Sequence, residues 1–111
     1  MEINRQKFGA VMLIQPKGPL TGSDATQLRL EVDEARITCM GRLVLDMEQV
    51  SYVDSIGLEA LLDISDRMAE SGKSLKMCGL NDTVRQVLEL TELAVLFEYY
   101  EDANTATRSY M

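Results

Sequence analysis

The chain has 111 residues and a formal net charge of −7 at pH 7, with 46% hydrophobic residues and no histidine. This acidic balance argues against a nucleic-acid surface, which needs clustered Lys and Arg, and against docking on an anionic membrane. The absence of His excludes Ser-His and Cys-His nucleophile systems. No apolar run approaches the roughly 18 residues of a membrane span, and the start of the chain lacks a signal-peptide pattern.

The two cysteines, Cys39 and Cys78, do not have the spacing of metal ligands. We interpret them as reduced core thiols of a cytoplasmic protein, and the alternative is one disulfide between them. The sequence therefore predicts neither a metal site nor a cofactor.

Two strand-like segments open the chain. Residues 3–8 are mixed in polarity and predict an edge strand, whereas residues 11–14 are apolar throughout and predict a buried strand. Gly9-Ala10 between them is typical of a hairpin turn. The turn residues at positions 16–19 should end the second strand and begin a loop that continues through Gly22, with a conformation defined by its Gly and Pro residues.

Helical and strand-like patterns then alternate. Ser23-Asp24 can cap a first helix, on which Leu28, Val32, Ala35 and Cys39 form one apolar face before a stop at Gly41. An apolar strand follows at residues 43–47, then a second helix with an acidic outer face that ends at residue 72, and a strand at residues 75–80. A third helix after Asn81-Asp82, a strand at residues 95–99 and a polar closing helix at residues 103–110, capped by Asp102, complete the pattern.

This order predicts one α/β domain over residues 1–111, with a mixed, mostly parallel sheet of about five strands flanked by three to four helices. In such sheets, sites lie near the carboxyl ends of strands, where helix N-termini collect. The Asp54-Ser55 turn and the loop at residues 16–21 both follow strands, so they can meet at that end.

Ser55 stands where the second helix should begin. An exposed hydroxyl there, beside free backbone N–H groups and the positive end of a helix dipole, is suited to carry a phosphate. The alternative interpretation is that Ser55 is only the N-cap of the helix. The local chemistry leaves both interpretations open.

Residues 43–62 resemble the signature of STAS domains, and more narrowly that of bacterial anti-sigma-factor antagonists. The resemblance rests on Leu-Val-Leu-Asp-Met at residues 43–47 followed by Tyr-Val-Asp-Ser-Ile-Gly-Leu at residues 52–58. In the order of its strands, loops and helices, the resemblance covers nearly the whole chain. It implies partner switching, in which a serine protein kinase or anti-sigma-type protein binds the unphosphorylated domain and is released when Ser55 is phosphorylated, and a phosphatase restores the original state.

The resemblance also implies which residues form the docking surface. On the second helix and the residue before it these are Asp54, Ile56, Gly57, Leu58 and Glu59; on the loop after the second strand they are Gly18, Pro19, Leu20, Thr21 and Asp24. Many members have Ser or Thr at the position of Ile56, and an Asp often lies near the position of Thr21. ATP would belong to the kinase and not to this chain.

Two alternative functions are compatible with the same residues. One is a constitutive STAS scaffold, a subunit of a transporter or a multi-protein complex, in which Ser55 is only a cap. The other is an enzyme in which Asp24, Asp46 and Asp54 cluster after strands for acid–base work. The sequence has neither a Gly-rich phosphate loop nor a nucleophile elbow, so we expect no enzymatic activity.

Overall fold

The computed structural model describes residues 1–110. The strands are β1 (Glu2–Phe8), β2 (Val11–Lys17), β3 (Leu43–Asp46), β4 (Leu75–Cys78) and β5 (Phe97–Tyr100). The helices are α1 (Gly22–Thr38), α2 (Ser55–Glu70), α3 (Asp82–Leu90) and α4 (Ala103–Arg108), and a single 3-10 turn (Ala94–Leu96) precedes β5. The predicted α/β class, with about five strands and four helices, is confirmed.

The strands form one sheet in the order β1-β2-β3-β4-β5. β1 and β2 are antiparallel and form the predicted hairpin, whose turn places Gly9 at a φ of +60°. The pairs β2–β3, β3–β4 and β4–β5 are all parallel. All the parallel strands therefore end at one edge of the sheet, and the loops that follow β2 and β3 leave from that edge.

Side chains alternate between the two faces of the sheet, as strand geometry requires. One face carries Ile14, Leu45 and Met77, which pack with Leu28 of α1 and Leu61 of α2 in the large core. The opposite face carries a smaller apolar cluster against α4, made by Val11, Leu13, Val44, Cys78 and Ala106.

The closing helix is shorter than predicted but is firmly packed. Although its composition is polar, Ala106 and Thr107 are buried, and the Tyr110 hydroxyl donates to the Leu43 carbonyl oxygen at 2.9 Å. These contacts explain why a polar segment covers the second face of the sheet.

Other predicted boundaries were also wrong; β3 and β4 end at Asp46 and Cys78, before residues 47 and 80. The first helix begins at Gly22, with Thr21 in the N-cap position and no side-chain cap, and not after Ser23-Asp24. β2 continues through Pro16, because β3 pairs with it only as far as Ile14 and proline is tolerated where a strand has one partner. The last strand begins at Phe97, because the apolar residues before it form the 3-10 turn.

Cys39 and Cys78 are both buried free thiols, so the predicted core position of the two side chains is confirmed. Within residues 1–110, none of the helices combines the length and the apolar composition that crossing a membrane requires.

Candidate functional site

The loops that follow β2 and β3 lie side by side at the carboxyl edge of the sheet. The Leu20 N–H donates to the Tyr52 carbonyl oxygen at 3.0 Å, and the Asp54 N–H donates to the Leu20 carbonyl oxygen at 3.3 Å. These bonds form a short parallel bridge between Leu20 and Val53. The start of α2 is therefore fixed to the loop that leads into α1.

Asp54, and not Ser55, caps α2. Its Oδ1 accepts a hydrogen bond from the Gly57 N–H at 2.8 Å, and its Oδ2 accepts one from the Gly22 N–H at 3.2 Å. The interpretation of Ser55 as the N-cap is wrong, because Ser55 is the first helical residue and Asp54 has the extended backbone of a cap.

Ser55 is exposed, and its hydroxyl does not cap the helix. Its own N–H and that of Ile56 belong to the first turn, where an α-helix offers no backbone acceptor. The positive end of the helix dipole is at the same place. The hydroxyl therefore stands next to unoccupied backbone donors, an arrangement that can accommodate an anionic group.

Gly57 allows the close approach of the two loops. A Cβ at this position would overlap the Leu20 carbonyl oxygen and would lie 2.6 Å from Cγ1 of Val53. Glycine is needed here for space, because the residue lies in ordinary helical backbone and not in the left-handed region.

The residues proposed for docking differ in exposure. Ile56 is 44% exposed and Glu59 is also exposed, whereas Leu20 is fully buried and Gly57 is buried. Leu20 and Gly57 therefore shape the site from below and do not present side chains to a partner. The remaining proposed residues are half-buried: Gly18, Pro19, Thr21, Asp24, Asp54 and Leu58.

Asp24 has a different setting from Asp54. It lies in the first turn of α1, and its Oδ1 accepts a hydrogen bond from the Met1 amino group at 3.0 Å. Its carboxylate is thus paired with the residue that precedes β1, not with the cap of α2.

Sequence reasoning missed two residues of this region. Tyr52 is 50% exposed and follows Ser51 in the loop before α2. Asn81 was expected only as the cap of α3, which it is, but its Nδ2 also donates to the Val50 and Ser51 carbonyl oxygens at 3.1 Å. The available signal for Tyr52 was an aromatic residue in the loop directly before the predicted helix. The second role of Asn81 depends on a contact between the loops that follow β3 and β4, which lie about 30 residues apart in the chain.

The three carboxylates of the enzyme hypothesis have separate partners. Asp46 is 5% exposed and accepts hydrogen bonds from Gln15 Nε2 at 2.9 Å and from the Glu48 N–H at 3.1 Å. Asp54 bonds to the two helix N-termini, and Asp24 bonds to Met1. Among residues 1–110, no three acidic or cysteine side chains are grouped to hold a metal ion.

A family model described as the STAS domain matches residues 2–106. Among curated proteins, the chain is similar to BtrV of Bordetella bronchiseptica, provisionally named an anti-sigma factor antagonist, with 23% identity over 99% of this chain and 95% of that protein. It is also similar to the anti-sigma F factor antagonist of Paenibacillus polymyxa, with 23% identity over 92% of this chain and 88% of that protein.

Solved structures share the fold. The crystal structure of a Thermotoga maritima protein, also provisionally named an anti-sigma factor antagonist, has a TM-score of 0.86 at 20% identity, covering 96% of this chain and 92% of that one. The anti-sigma factor antagonist SpoIIAA in its unphosphorylated form has a TM-score of 0.77 at 17% identity, covering 98% of this chain and 96% of that one. The phosphorylated form of SpoIIAA, a Bacillus protein, has a TM-score of 0.71 at 16% identity, covering 97% of this chain and 99% of that one.

A transporter-related structure also has the same fold. A sulfate transporter family protein from Wolinella succinogenes has a TM-score of 0.76 at 18% identity, covering 92% of this chain and 84% of that one. At such identities, the likeness to all these structures concerns the fold alone.

Proposed function

The chain belongs to the STAS domain family, and from this premise we propose that it is a partner-switching regulator of the anti-sigma-factor-antagonist type. Unphosphorylated, it binds a serine protein kinase or anti-sigma-type protein. Phosphorylation of Ser55 releases that partner, and a phosphatase reverses the change. Residues 1–111 act as one domain in this proposal, and dependence on an ATP-using kinase implies a cytoplasmic location.

The observation that carries the proposal is the capping of α2 by Asp54. Because the Asp54 carboxylate satisfies the Gly57 N–H at 2.8 Å, the Ser55 hydroxyl can be modified without loss of a cap. The relatives support the same function by their names, which describe anti-sigma factor antagonists.

The charge around Ser55 explains how a phosphate would release a partner. The segment from residue 43 to residue 66 contains no Lys or Arg and six acidic residues, which are Asp46, Glu48, Asp54, Glu59, Asp63 and Asp66. A phosphate adds about −1.5 to −2 charges at pH 7 to this acidic segment. An unmatched charge buried in an interface costs roughly 2–5 kcal/mol, which is about 30- to several-thousand-fold in affinity.

The same modification should leave the domain folded. The N-terminus of α2 favours a phosphate by roughly 0.3–1 kcal/mol, and the neighbouring Asp54 carboxylate opposes it. The two effects are small and of opposite sign, whereas the effect on the interface is several times larger. The switch therefore acts on binding and not on folding.

Exposed side chains on both sides of Ser55 are available for contacts with a partner. Tyr52 and Ile56 are 50% and 44% exposed, and Glu59 follows one helical turn after Ser55. Apolar side chains that a partner can desolvate commonly provide most of the binding energy of an interface. We place the centre of the docking surface on Tyr52 and Ile56, with the Gly18 to Thr21 loop beside them.

The first test is intact-mass analysis after incubation with ATP and the serine kinase encoded nearest the gene. We expect the mass gain of one phosphate, its loss in Ser55→Ala, and its retention in Ser51→Ala, which removes an exposed serine of the same loop. A gain that persists in Ser55→Ala would move the acceptor elsewhere. No gain with a kinase active on another substrate would contradict the proposal.

The second test compares the affinity of the kinase for the phosphorylated and unmodified proteins by calorimetry. We expect the phosphorylated protein to bind at least about 30-fold more weakly. Equal affinities would mean that phosphorylation, even if it occurs, is not the release signal.

A second candidate function is a constitutive scaffold subunit, which the likeness to the Wolinella succinogenes transporter family protein favours. In that function Ser55 receives no phosphate, and Ser55→Ala and Ser55→Asp should bind the transporter subunit equally well. A transporter subunit encoded beside the gene would be the partner to test. Neither function needs catalysis by this chain, so we propose that it is not an enzyme.

A further inference from the structure

A cavity of about 390 Å³ lies on the α4 face of the sheet, away from Ser55. It forms because α4 has six residues and packs against β2 to β5, which leaves part of the β1–β2 hairpin uncovered. Gln6 and Phe8 of β1 lie opposite Leu13 and Val11 of β2 in the register, so their side chains share this face.

The lining combines an apolar floor with a few polar groups. Leu13 is buried and Phe8 is 38% exposed, and Ala103 adds a third apolar surface. The side-chain amides of Gln6, Gln15 and Asn104 and the guanidinium of Arg108 complete the lining with Thr107. Apolar surface with a small number of oriented polar groups, in a volume of roughly 300–1,000 Å³, is the usual composition of a small-molecule site.

Arg108 gives the cavity its chemical preference. Arg108 is the one charged residue that lines the cavity. Its guanidinium, like those of Arg29, Arg42 and Arg85, forms no ion pair within residues 1–110. A guanidinium offers a planar fork of donors that matches a carboxylate. We propose that this cavity binds a small organic carboxylate, whose acid group pairs with Arg108 and whose apolar body lies on Leu13 and Phe8.

The walls of the cavity are held in place before any ligand binds. α4 is capped by Asp102, whose Oδ1 accepts from the Thr105 N–H at 2.7 Å. Its C-terminal end is fixed by the bond of Lys76 Nζ to Ser109 Oγ at 2.7 Å and by the bond of Tyr110 to Leu43. A preformed site avoids the entropic cost of ordering its walls around the ligand.

Gln15 connects the cavity to the segment that carries Ser55. Its Nε2 donates to Oδ2 of the buried Asp46, and Oδ1 of Asp46 accepts from the Glu48 N–H. Glu48 is the second residue of the loop that connects β3 to α2 and ends at Asp54. A ligand that hydrogen-bonds to the Gln15 amide therefore perturbs an amide of that loop through two hydrogen bonds.

The test is a titration of the ¹⁵N-labelled full chain, followed by amide chemical shifts. The probes are 2-naphthoate, 2-naphthamide as the neutral analogue, and 2-naphthyl phosphate to distinguish a carboxylate site from a general anion site. We expect 2-naphthoate to bind with a Kd on the order of 1 mM, to shift the amides of Leu13, Gln15, Asn104 and Glu48, and to bind more tightly than the other two probes.

Two variants make the test specific. Arg108→Gln should weaken the binding of 2-naphthoate about tenfold, whereas Arg85→Gln, which removes an exposed cation of α3 on the other side of the sheet, should not. Spectra of both variants away from the cavity will report whether they are folded. Absence of binding, equal binding by Arg108→Gln, or tighter binding of the phosphate would overturn the proposal. Shifts that leave Glu48 unmoved would overturn the connection to the loop.

Discussion

The Asp54 carboxylate accepts a hydrogen bond from the backbone of Gly22, 32 residues earlier in the chain, at 3.2 Å. Its other oxygen caps α2 through Gly57. One side chain thereby holds the N-termini of α1 and α2 together, and a change at Asp54 should affect both helices.

Substitutions of Asp54 should separate the contribution of its hydrogen bond to Gly57 from that of its hydrogen bond to Gly22. Asp54→Ala removes both acceptors, and we expect the free energy of unfolding to fall by about 1–2 kcal/mol. Asp54→Asn keeps an oxygen for Gly57 but turns an N–H₂ group toward the Gly22 N–H, so its loss should be smaller but measurable. Urea denaturation checks both, with Asp102→Ala, the cap of the short helix α4, for comparison. A value for Asp54→Ala equal to wild type would show that the bridge contributes nothing.

Gly57→Ala should destabilise the protein although alanine is the better helix former. Helix propensity alone predicts a gain of up to about 1 kcal/mol. The added Cβ, however, would overlap the Leu20 carbonyl oxygen, and overpacking of this kind costs about 1–3 kcal/mol. Ser55→Ala, two residues earlier on the same helix, should stay within about 0.5 kcal/mol of wild type. The sign of the Gly57→Ala effect in chemical denaturation decides between propensity and crowding.

Phosphorylation of Ser55 should change the free energy of unfolding by less than about 1 kcal/mol, because the helix dipole and Asp54 act in opposite directions. Denaturation of the purified phosphoprotein beside the unmodified chain measures this difference. A loss of several kcal/mol would mean that phosphate acts by unfolding the domain, and the proposed separation of binding from folding would fail.

Ile56→Ala should weaken binding to the kinase or anti-sigma-type partner by about tenfold or more without a matching loss of stability. Ile37 is a suitable control, because it is also a helical isoleucine and is 71% exposed, but it lies near the end of α1. Ile37→Ala should bind as wild type does. Equal affinities of the two variants, measured by calorimetry, would place the interface elsewhere.

Alkaline pH should destabilise the protein in part through Cys78. Burial, with the neighbouring Asp46 carboxylate, raises the pKa of this thiol from 9.0 to about 12. Between these two values the folded state keeps a proton that the unfolded state has lost, so the free energy of unfolding falls as pH rises through this interval. Denaturation between about pH 8 and about pH 11 should show a shallower decline for Cys78→Ala. Burial also raises the pKa of Tyr110 to about 12, so part of the decline should remain.

The features that were predictable from the sequence depend on local chemistry. The apolar face of α1 and the cap at Asn81 follow from spacing within a few residues, and both are as predicted. The errors occur where distant parts of the chain decide. Gly22 begins α1 because Asp54 accepts from its N–H, and Ser55 is not the cap because the residue before it reaches Gly57.

The same reasoning applies at the second sheet face and at the last strand. The polar sequence of α4 gives no sign of the bond from Tyr110 to Leu43, 67 residues earlier in the chain. Val95 has strand-like chemistry, yet it is 87% exposed in a 3-10 turn. Propensity did not reveal the cavity either, because its lining comes from both the first hairpin and the last helix.

The assignment of the cap to Asp54 has a consequence for how such proteins diversify. Because the hydroxyl at position 55 contributes nothing to the helix start, one substitution there can remove or restore a phosphate acceptor at almost no cost to folding. A gene copy could thus become permanently active, or regain control, in a single mutational step. Position 54 lacks this freedom, since each replacement there also loosens the junction of two helices.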